Sequence, residues 1–228
     1  MSSVLAAVIQ LNSQADVAKN LARASELVHA ARKRGAELAV LPENFAFMGE
    51  TEEAKLEVAE PISGAPGTEG PIVRAICELA KRERIAIIGG GMPERSGDPK
   101  RPFNSSIFVN EEGKLIARYR KVHLFDVDLP DGTKALESGA TSAGDGAVVA
   151  SWNGAEVGLA ICYDLRFPEY FRALVTKGAT VVTVPAAFTL TTGKDHWHPL
   201  LRARAIENQV FVLAAAQHGK HPRGRQTY

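Results

Sequence analysis

The chain lacks the features that mark secreted, membrane-spanning or nucleic-acid-binding proteins. Its 228 residues include two cysteines, Cys77 and Cys162, which are too few for a disulfide framework. No apolar run is long enough to span a bilayer. Lysine and arginine (27) balance aspartate and glutamate (26), and the charges are interspersed, so no nucleic-acid or membrane partner is indicated. The N-terminal residues enter an apolar strand without a signal-peptide core, which predicts a cytosolic protein.

The hydrophobic residues, 45% of the chain, are arranged as alternating strands and helices. A strand over 4–10, an amphipathic helix over 14–34 and a strand over 37–41 predict a right-handed crossover unit. Two stretches, 104–119 and 147–161, are typical of β-hairpins because turn residues interrupt each apolar pattern. The sequence therefore predicts an α/β fold in which helices cover mixed sheets.

The remaining apolar stretches predict further elements of the same kind. The expected helices cover 52–58, a segment from Pro71, a segment from Pro168 and 195–208, and the expected strands cover 85–90, 180–184 and 210–216. Residues 49–67 and 126–146 are polar or irregular and predict loops. The tail, 217–228, is polar and basic, and its basic run, 220–225, is interpreted as a flexible surface segment.

Cys162 lies between a predicted strand and a predicted helix. The apolar run Val157 to Ile161 ends at this cysteine, and Pro168 opens the helix because proline fits the first helical turn. Open α/β sheets place their chemistry at such strand ends, where a helix N-terminus stabilises a thiolate. The alternative is that Cys162 is a small buried hydrophobic residue.

Three charged residues also follow strands or lie close to them in sequence. A thiol that hydrolyses an acyl compound needs a base, a donor for the oxyanion and a proton source for the leaving group. Glu43 follows an apolar strand, Lys121 follows a hairpin strand, and Glu137 lies between Lys121 and the cysteine strand. A helix cap, a solvated charge and a loop acid are the respective structural alternatives, and the spacing alone leaves them open.

Three segments together resemble the signature motifs of the nitrilase, or carbon–nitrogen hydrolase, superfamily. They are Leu41-Pro-Glu-Asn44, Tyr119-Arg-Lys-Val-His-Leu-Phe-Asp126 and Ile161-Cys-Tyr-Asp-Leu-Arg-Phe-Pro-Glu169. They occur in the family's order and at similar separations, which makes the resemblance specific. Further segments resemble the Nit amidases, in particular deaminated-glutathione amidases and ω-amidases: His196-Trp197, Leu201-Arg-Ala-Arg-Ala-Ile-Glu-Asn208 and Ala214-Ala-Ala-Gln217.

The resemblance implies a catalytic role for each charged residue. Cys162 would be the nucleophile, Glu43 the general base and Lys121 the oxyanion-stabilising cation. Glu137 would orient the lysine or substrate, and the backbone N–H of Tyr163 would complete the oxyanion site. The thiol would attack an amide, release ammonia and leave a thioester that water hydrolyses. Neither a metal nor an organic cofactor is required.

The resemblance also implies a small ω-amide substrate that carries a carboxylate. Arg166, on the turn after Cys162, has the guanidinium geometry to bind that carboxylate, and Thr192 is a weaker candidate for the same pocket. The alternative for Arg166 is an ion pair with Asp164 or Glu169.

Other reactive side chains receive structural interpretations. His196 and His198 do not share a helix face and lack further ligands at metal-binding spacing, so no metal site is predicted. His123 suggests a Cys–His pair, but the glutamates and lysine explain the chemistry better. Cys77 lies in a helical apolar pattern and is interpreted as a core residue.

At the level of the whole chain, the family implies a four-layer α-β-β-α sandwich and a homodimer packed through helices. We expect a single domain, 1–228, without the family's final strands, and therefore a sheet with an unpaired edge. A nitrilase or an N-carbamoyl amino-acid amidohydrolase on the same scaffold is the enzymatic alternative. A non-catalytic dimeric scaffold is the alternative of another class.

Overall fold

The computed structural model describes residues 3–63, 69–128 and 134–228. The helices in these ranges are α1 (Val17–Lys33), α2 (Pro71–Glu83), α3 (Pro168–Thr176) and α4 (Leu190–Asn208). The strands are β1 (Ala6–Val8), β2 (Leu38–Val40), β3 (Ala86–Glu94), β4 (Phe103–Val109), β5 (Leu115–Arg120), β6 (Asp126–Asp128), β7 (Lys134–Leu136), β8 (Val148–Trp152), β9 (Ala155–Leu159), β10 (Val181–Thr183), β11 (Phe211–Leu213), β12 (Gly219–Lys220) and β13 (Gln226–Thr227). Parts of the loops predicted over 49–67 and 126–146 lie outside the described residues.

Two larger sheets repeat one plan. In the first, the order is β1-β2-β3-β4-β5, with β1, β2 and β3 parallel and β4 and β5 added as antiparallel strands. In the second, the order is β11-β10-β9-β8, with three parallel strands and one antiparallel strand. Helices connect the parallel strands, as crossover units require, and the hairpins supply the antiparallel ones.

The central strands of the first sheet, β2, β3 and β4, are buried on both faces, and the alternation of their side chains separates two cores. On β2, Leu38 and Val40 join a core shared with the second sheet, whereas Ala39 packs with Ala24 and Val28 of α1. The side chains of α3 pack against the second sheet, where Leu174 lies beside Gly158 of β9. The layers are therefore helix, sheet, sheet and helix, and the predicted four-layer sandwich with two mixed sheets is confirmed.

Two predictions for the C-terminal part are wrong. Helix α4 begins at Leu190, after Thr189, instead of at Asp195, and Pro199 lies within it. The tail is not a flexible surface segment, because β12 and β13 form a hairpin and His221 and Thr227 are buried. The ring of His221 hydrogen-bonds the carbonyl of Ser13 and the hydroxyl of Thr227, so polar contacts hold a segment whose composition predicts exposure.

An apolar residue is exposed on an edge strand of the second sheet. Strand β11 lies at the edge of the second sheet, and Phe211 on it is largely exposed. The predicted irregular stretch after Lys121 contains the small hairpin of β6 and β7. None of the helices in the described ranges has the length and hydropathy needed to cross a membrane.

Candidate active site

Glu43 is held in a fixed position at the end of the second strand of the first sheet. It bridges Gly91 on β3, and its side chain is buried. Its Oε1 accepts hydrogen bonds from Asn104 Nδ2 (2.9 Å) and Lys121 Nζ (3.0 Å), and its Oε2 accepts one from the N–H of Ala187 (2.9 Å). The predicted strand-end acid therefore points into the space between the sheets.

Lys121 lies between two carboxylates directly after β5. Its Nζ donates to Glu43 Oε1 and, at 2.9 Å, to Glu137 Oε2. Burial favours the neutral amine, but the charges of Glu137 and Glu43, and that of Cys162 when ionised, raise the pKa of Lys121 well above its usual value. The side chain is a permanent ammonium in a buried site.

Glu137 starts a 3₁₀ turn, Glu137–Gly139, and serves as the second carboxylate. Its Oε2 also accepts a hydrogen bond of 2.7 Å from the N–H of Phe125. Burial acts to raise the pKa of Glu137, but Lys121, Lys55 and these hydrogen bonds outweigh it and lower the pKa to about 2. Glu137 is therefore an ionised, fully occupied acceptor whose contacts fix the lysine.

Cys162 adopts an unusual backbone conformation. It follows β9, begins the 3₁₀ turn Cys162–Arg166 and has a φ of 47°, in the left-handed region that L-residues rarely occupy. Its N–H is held by the carbonyl of Pro185 at 2.8 Å. Strained residues of this kind concentrate at functional sites, and here the strain directs the thiol towards Glu43 and Lys121.

The Cys162 thiol is protonated at rest. Burial raises its pKa well above the usual value, and Glu43, which hydrogen-bonds the thiol, raises it further. Lys121 and the N–H of Ala187 oppose these effects by favouring the thiolate. Cys162 thus needs a base to become a nucleophile, and Glu43 is in contact with its proton.

These groups line a cavity of about 340 Å³. Its described walls include Glu43, Lys121, Glu137 and Cys162, together with the ring of Tyr163. The volume suits a small organic ligand. Four of the residues singled out from the sequence for chemistry are therefore brought together around one space.

The three predicted substrate-binding residues occupy different positions. Tyr163 lines the cavity, and its ring packs edge-on against Phe125. Thr192 also lines it, and its hydroxyl lies 2.7 Å from that of Thr189. The side chain of Arg166 is not among the described lining residues, and its assignment to the substrate stays a prediction.

The Arg166 side chain instead lies against two residues that line the cavity. Its guanidinium is 5.3 Å from the ring centre of Phe188 and 5.7 Å from that of Tyr163, and its Nη2 is 3.3 Å from His196 Nδ1. Asp164, one of the two acids proposed as alternative partners of Arg166, is hydrogen-bonded to His123 instead, and the pairing with Glu169 stays a prediction. His123 is thus positioned by Asp164, not paired with the thiol.

Sequence reasoning missed several residues of the cavity. Lys55 and Arg225 line it together with Glu52, and Asn104 holds Glu43 from β4. The sequence predicts only a short helix around Glu52 and Lys55 and a flexible surface segment at Arg225. The spacing of three residues between Glu52 and Lys55 predicts an ion pair on a helical turn, but it does not indicate that either side chain faces a cavity.

Cys77 and the histidines of α4 stand apart from this chemistry. Cys77 is partly buried on α2, where burial and then the nearby Glu69 and Glu78 raise the pKa of its thiol. Across the described ranges, no group of three His, Cys, Asp or Glu side chains has an arrangement that could hold a metal ion.

The fold and the buried thiol, carboxylate and ammonium define a hydrolase of the covalent, thiol-dependent class. The carbon–nitrogen hydrolase family model matches residues 5–228, and the chain belongs to this family. The resemblance seen in its motifs is therefore confirmed.

Curated relatives agree with this assignment. The chain is 45% identical over 231 residues to the deaminated glutathione amidase of Synechocystis sp., covering all of this chain and 82% of the relative. It is 39% identical over 228 residues to the human deaminated glutathione amidase, covering 98% of this chain and 68% of the relative.

Solved structures share the fold. Saccharomyces cerevisiae Nit3, a member of branch 10 of the nitrilase superfamily, superposes with a TM-score of 0.86 at 33% identity, covering 99% of this chain and 79% of Nit3. A glutamate-to-glutamine mutant of the Nesterenkonia sp. AN1 amidase, with acrylamide added at its active-site cysteine, superposes with a TM-score of 0.81 at 27% identity, covering 99% of this chain and 82% of that one.

Proposed function

We propose that the chain acts as one carbon–nitrogen hydrolase domain that hydrolyses a small ω-amide carrying a carboxylate, as deaminated glutathione does. The observation that carries the proposal is Lys121, held 3.0 Å from Glu43 and 2.9 Å from Glu137 on the wall that also presents Cys162. The curated relatives named above supply the substrate class.

In the first half-reaction, Glu43 takes the proton of Cys162, and the sulfur attacks the amide carbonyl carbon. The Lys121 ammonium and the N–H of Tyr163 stabilise the oxyanion of the tetrahedral intermediate. Glu43 returns the proton to the nitrogen, the C–N bond breaks, and the nitrogen leaves as ammonia from a primary amide or as an amine from an N-substituted amide such as deaminated glutathione. An acyl thioester on Cys162 remains.

In the second half-reaction, Glu43 takes a proton from water, and the hydroxyl attacks the thioester carbonyl. The same donors stabilise the second oxyanion, the C–S bond breaks, and the thiolate regains a proton from Glu43. The carboxylic acid is released, and the site returns to its initial state. Glu137 does not exchange protons in this scheme, because its contacts serve to position Lys121.

Ammonia release from a panel of amides tests the proposal. We expect Cys162→Ala to abolish release and Cys77→Ala, the matched cysteine control, to retain it. Mass spectrometry of quenched wild-type protein should detect an acyl adduct on Cys162. Retained hydrolysis in Cys162→Ala would refute the mechanism.

Adding a nitrile and an N-carbamoyl amino acid to the panel separates the alternatives. Hydrolysis of the nitrile would indicate a nitrilase, and release of carbon dioxide together with ammonia would indicate an N-carbamoyl amino-acid amidohydrolase. A dimeric scaffold without activity would leave Cys162 and Cys77 equally slow to alkylate. The strained backbone of Cys162 and the charges around its thiol support the enzyme, because a scaffold requires neither.

The assembly proposed for the chain is a cytosolic homodimer. Support comes from Ile206 on α4 and Phe211 on β11, which are each 76% exposed and apolar. Light scattering should give twice the chain mass, and Ile206→Glu should reduce it to the mass of one chain. The free thiols of Cys77 and Cys162 suit a reducing compartment, and cell fractionation tests that location.

A further inference from the structure

Two donors hold the buried carboxylates of Glu43 and Glu137 together, and one of them is an uncharged amide. Lys121 Nζ donates to Glu43 Oε1 and to Glu137 Oε2. Asn104 Nδ2 binds the same pair of side chains, at 2.9 Å from Glu43 Oε1 and 3.5 Å from Glu137 Oε1. The two carboxylates are therefore bridged twice, once by an ammonium and once by the amide of Asn104.

Strand pairing places the two donors side by side. Asn104 lies on β4, and its carbonyl accepts a hydrogen bond of 2.8 Å from the N–H of Lys121, which directly follows β5. On its other side, Asn104 pairs with Pro93 of β3. A Cβ added at Gly91 of that strand would lie 2.8 Å from Asn104 Oδ1, so the amide has little space in which to move. Its position relative to Lys121 is thus set by the sheet.

The two carboxylates also decide which way the amide of Asn104 faces. An ionised carboxylate accepts hydrogen bonds and donates none, so the nitrogen of the amide must point at it. Asn104 Oδ1 then has no hydrogen-bond partner among the residues that the structure describes, although it is buried. Because buried polar atoms are normally paired, donation to Glu43 and Glu137 outweighs the need to pair this oxygen.

The two oxygens of Glu43 consequently differ in the hydrogen bonds that they can still accept. Each carboxylate oxygen has two acceptor positions, and Asn104 and Lys121 occupy both positions of Oε1. Oε2 accepts one hydrogen bond, of 2.9 Å, from the N–H of Ala187, and one position remains. The Cys162 thiol hydrogen-bonds Glu43, and the N–H of Ala187 also reaches its sulfur. The thiol proton therefore faces Oε2.

We propose that Asn104 is a positioning residue, which keeps Oε1 of Glu43 an acceptor so that the proton taken from Cys162 is carried on Oε2 alone. A proton on Oε1 would have to displace either the amide or the ammonium, because each already donates to that atom. The inference rests on the proposed function, since the proton exchange belongs to that reaction.

Holding the proton on Oε2 matters because one atom then serves both transfers. The S–H bond of Cys162 breaks as an O–H bond forms on Oε2, and the sulfur electron pair attacks the carbonyl carbon. The same proton then passes from Oε2 to the amide nitrogen, which leaves with the electron pair of the C–N bond. A proton on Oε1 would point at Asn104 and Lys121 instead of at the leaving nitrogen.

The test compares two substrates with the same acyl group, glutaramate and the S-ethyl monothioester of glutaric acid. The amide nitrogen needs a proton in order to leave, whereas ethanethiolate leaves without one. In Asn104→Ala, kcat/KM for the amide should fall by roughly tenfold to a hundredfold, and that for the thioester by about threefold or less. The ratio of the two within one variant cancels any general loss of folding.

Two further variants supply the control and a shape-conserving change. Asn208→Ala is the matched control, because Asn208 is buried, donates to the carbonyl of Arg204 and also leaves its Oδ1 unpaired among the described residues. It should leave the ratio unchanged. Asn104→Asp keeps the shape but can donate only when protonated, so its amide hydrolysis relative to the wild type should rise as the pH falls. An equal fall for both substrates in Asn104→Ala, or no such rise in Asn104→Asp, would overturn the inference.

A double-mutant cycle shows whether Asn104 acts through Glu43. In a Glu43→Gln background, which has already lost the proton carrier, Asn104→Ala should reduce amide hydrolysis no further. Alkylation of Cys162 by iodoacetamide, in a Cys77→Ala background, needs no turnover. Burial and then Glu43 raise the pKa of the Cys162 thiol, and removal of a donor that offsets the charge of Glu43 should move the alkylation profile of Asn104→Ala to higher pH.

This alkylation profile separates the inference from the proposed function. Loss of the fold would expose Cys162 and move the profile to lower pH, the opposite direction. If neither substrate is hydrolysed but the profile moves to higher pH in Asn104→Ala and not in the Glu43→Gln background, the positioning of Glu43 stands and the reaction is wrong. If both substrates are hydrolysed and neither the ratio nor the profile responds to Asn104, the reaction stands and the role of Asn104 is wrong.

Discussion

The hydroxyl of Tyr119 donates a hydrogen bond of 2.7 Å to Oδ2 of Asp164, and both side chains are fully buried. Tyr119 is two residues before Lys121, and Asp164 is two residues after Cys162. Asp164 also accepts hydrogen bonds from the backbone N–H groups of Ile161 (2.8 Å) and His123 (3.2 Å). One carboxylate therefore joins the lysine segment to the cysteine turn.

The first prediction concerns this connection. Tyr119→Phe removes the hydroxyl donor to Asp164 and the acceptor of the Val122 N–H, which lies 3.0 Å away. Buried groups left unpaired cost about 1–3 kcal/mol, so the free energy of unfolding in urea should fall by that amount. Because Lys121 loses a constraint, kcat should fall about tenfold while KM changes little.

Tyr170→Phe is the matched control, because its hydroxyl donates to the carbonyl of Leu159 and contacts Tyr119, but its loss leaves the bond from Tyr119 to Asp164 in place. It should cost similar stability but leave kcat nearly intact. Equal losses of kcat in both variants would show that Tyr119 contributes stability alone, without positioning Lys121.

The second prediction concerns the charge of Glu43. Burial and then Glu43 raise the pKa of the Cys162 thiol, so Glu43→Gln removes one cause and lowers that pKa. Alkylation by iodoacetamide should then reach half its maximal rate at a lower pH than in the wild type. Amide hydrolysis should fall by about 10²–10⁴, because the general base is lost.

Both measurements use a Cys77→Ala background, so that Cys162 is the reacting thiol. Loss of the fold would expose Cys162 and also shift its alkylation to lower pH, so the control is an unfolding transition in urea that matches the wild type. An alkylation profile displaced to higher pH would contradict the role given to Glu43.

Both the positions of the reactive residues and the layers could be predicted from the sequence. Glu43, Lys121 and Cys162 each follow a strand, but their spacing does not show that they meet, and that expectation came from the family resemblance. Three ordered motifs then restricted the fold to one family. Amphipathic patterns similarly predicted α1 and α2 close to their observed bounds.

The outer part of the cavity could not be predicted in this way. Arg225 pairs with Glu52, which lies about 170 residues earlier in the chain beside Lys55, and neither segment has an apolar period. Local composition predicts that such residues are exposed to solvent, and only the tertiary structure places them on the cavity wall. The early start of α4 has a similar origin, because its first residues pack under Tyr228, which contacts Gly193.

The third prediction uses the pH dependence of stability. The pKa of Glu137 is about 2 in the folded protein, against an ordinary value of 4.5. A lowered folded pKa contributes stability above pH 4.5, and this contribution is lost as the pH falls from 4.5 towards 2. The stability difference between wild type and Glu137→Gln should therefore be constant near neutrality and decrease in acid.

Urea titrations between neutrality and pH 3 measure this difference, because the other carboxyl groups titrate in both proteins and cancel. Glu112→Gln, a change at the exposed hairpin turn after β4, serves as the comparison for loss of one surface charge. A difference that grows as the pH falls would show that Glu137 is not the ionised partner of Lys121.

The last prediction concerns Gly91 of β3, which lies directly against Glu43. A Cβ added at Gly91 would lie 2.8 Å from Asn104 Oδ1 and 3.1 Å from Glu43 Cγ, so one of these side chains must move. Gly91→Ala should therefore displace the base, and kcat/KM should fall by about tenfold to a hundredfold, as small misplacements of catalytic groups do. Gly97→Ala is the control, because a Cβ there meets no atom within 4 Å. If Gly91→Ala retained full activity while its melting temperature fell, the position of Glu43 would tolerate the shift, and its close fit against β3 would serve stability instead of catalysis.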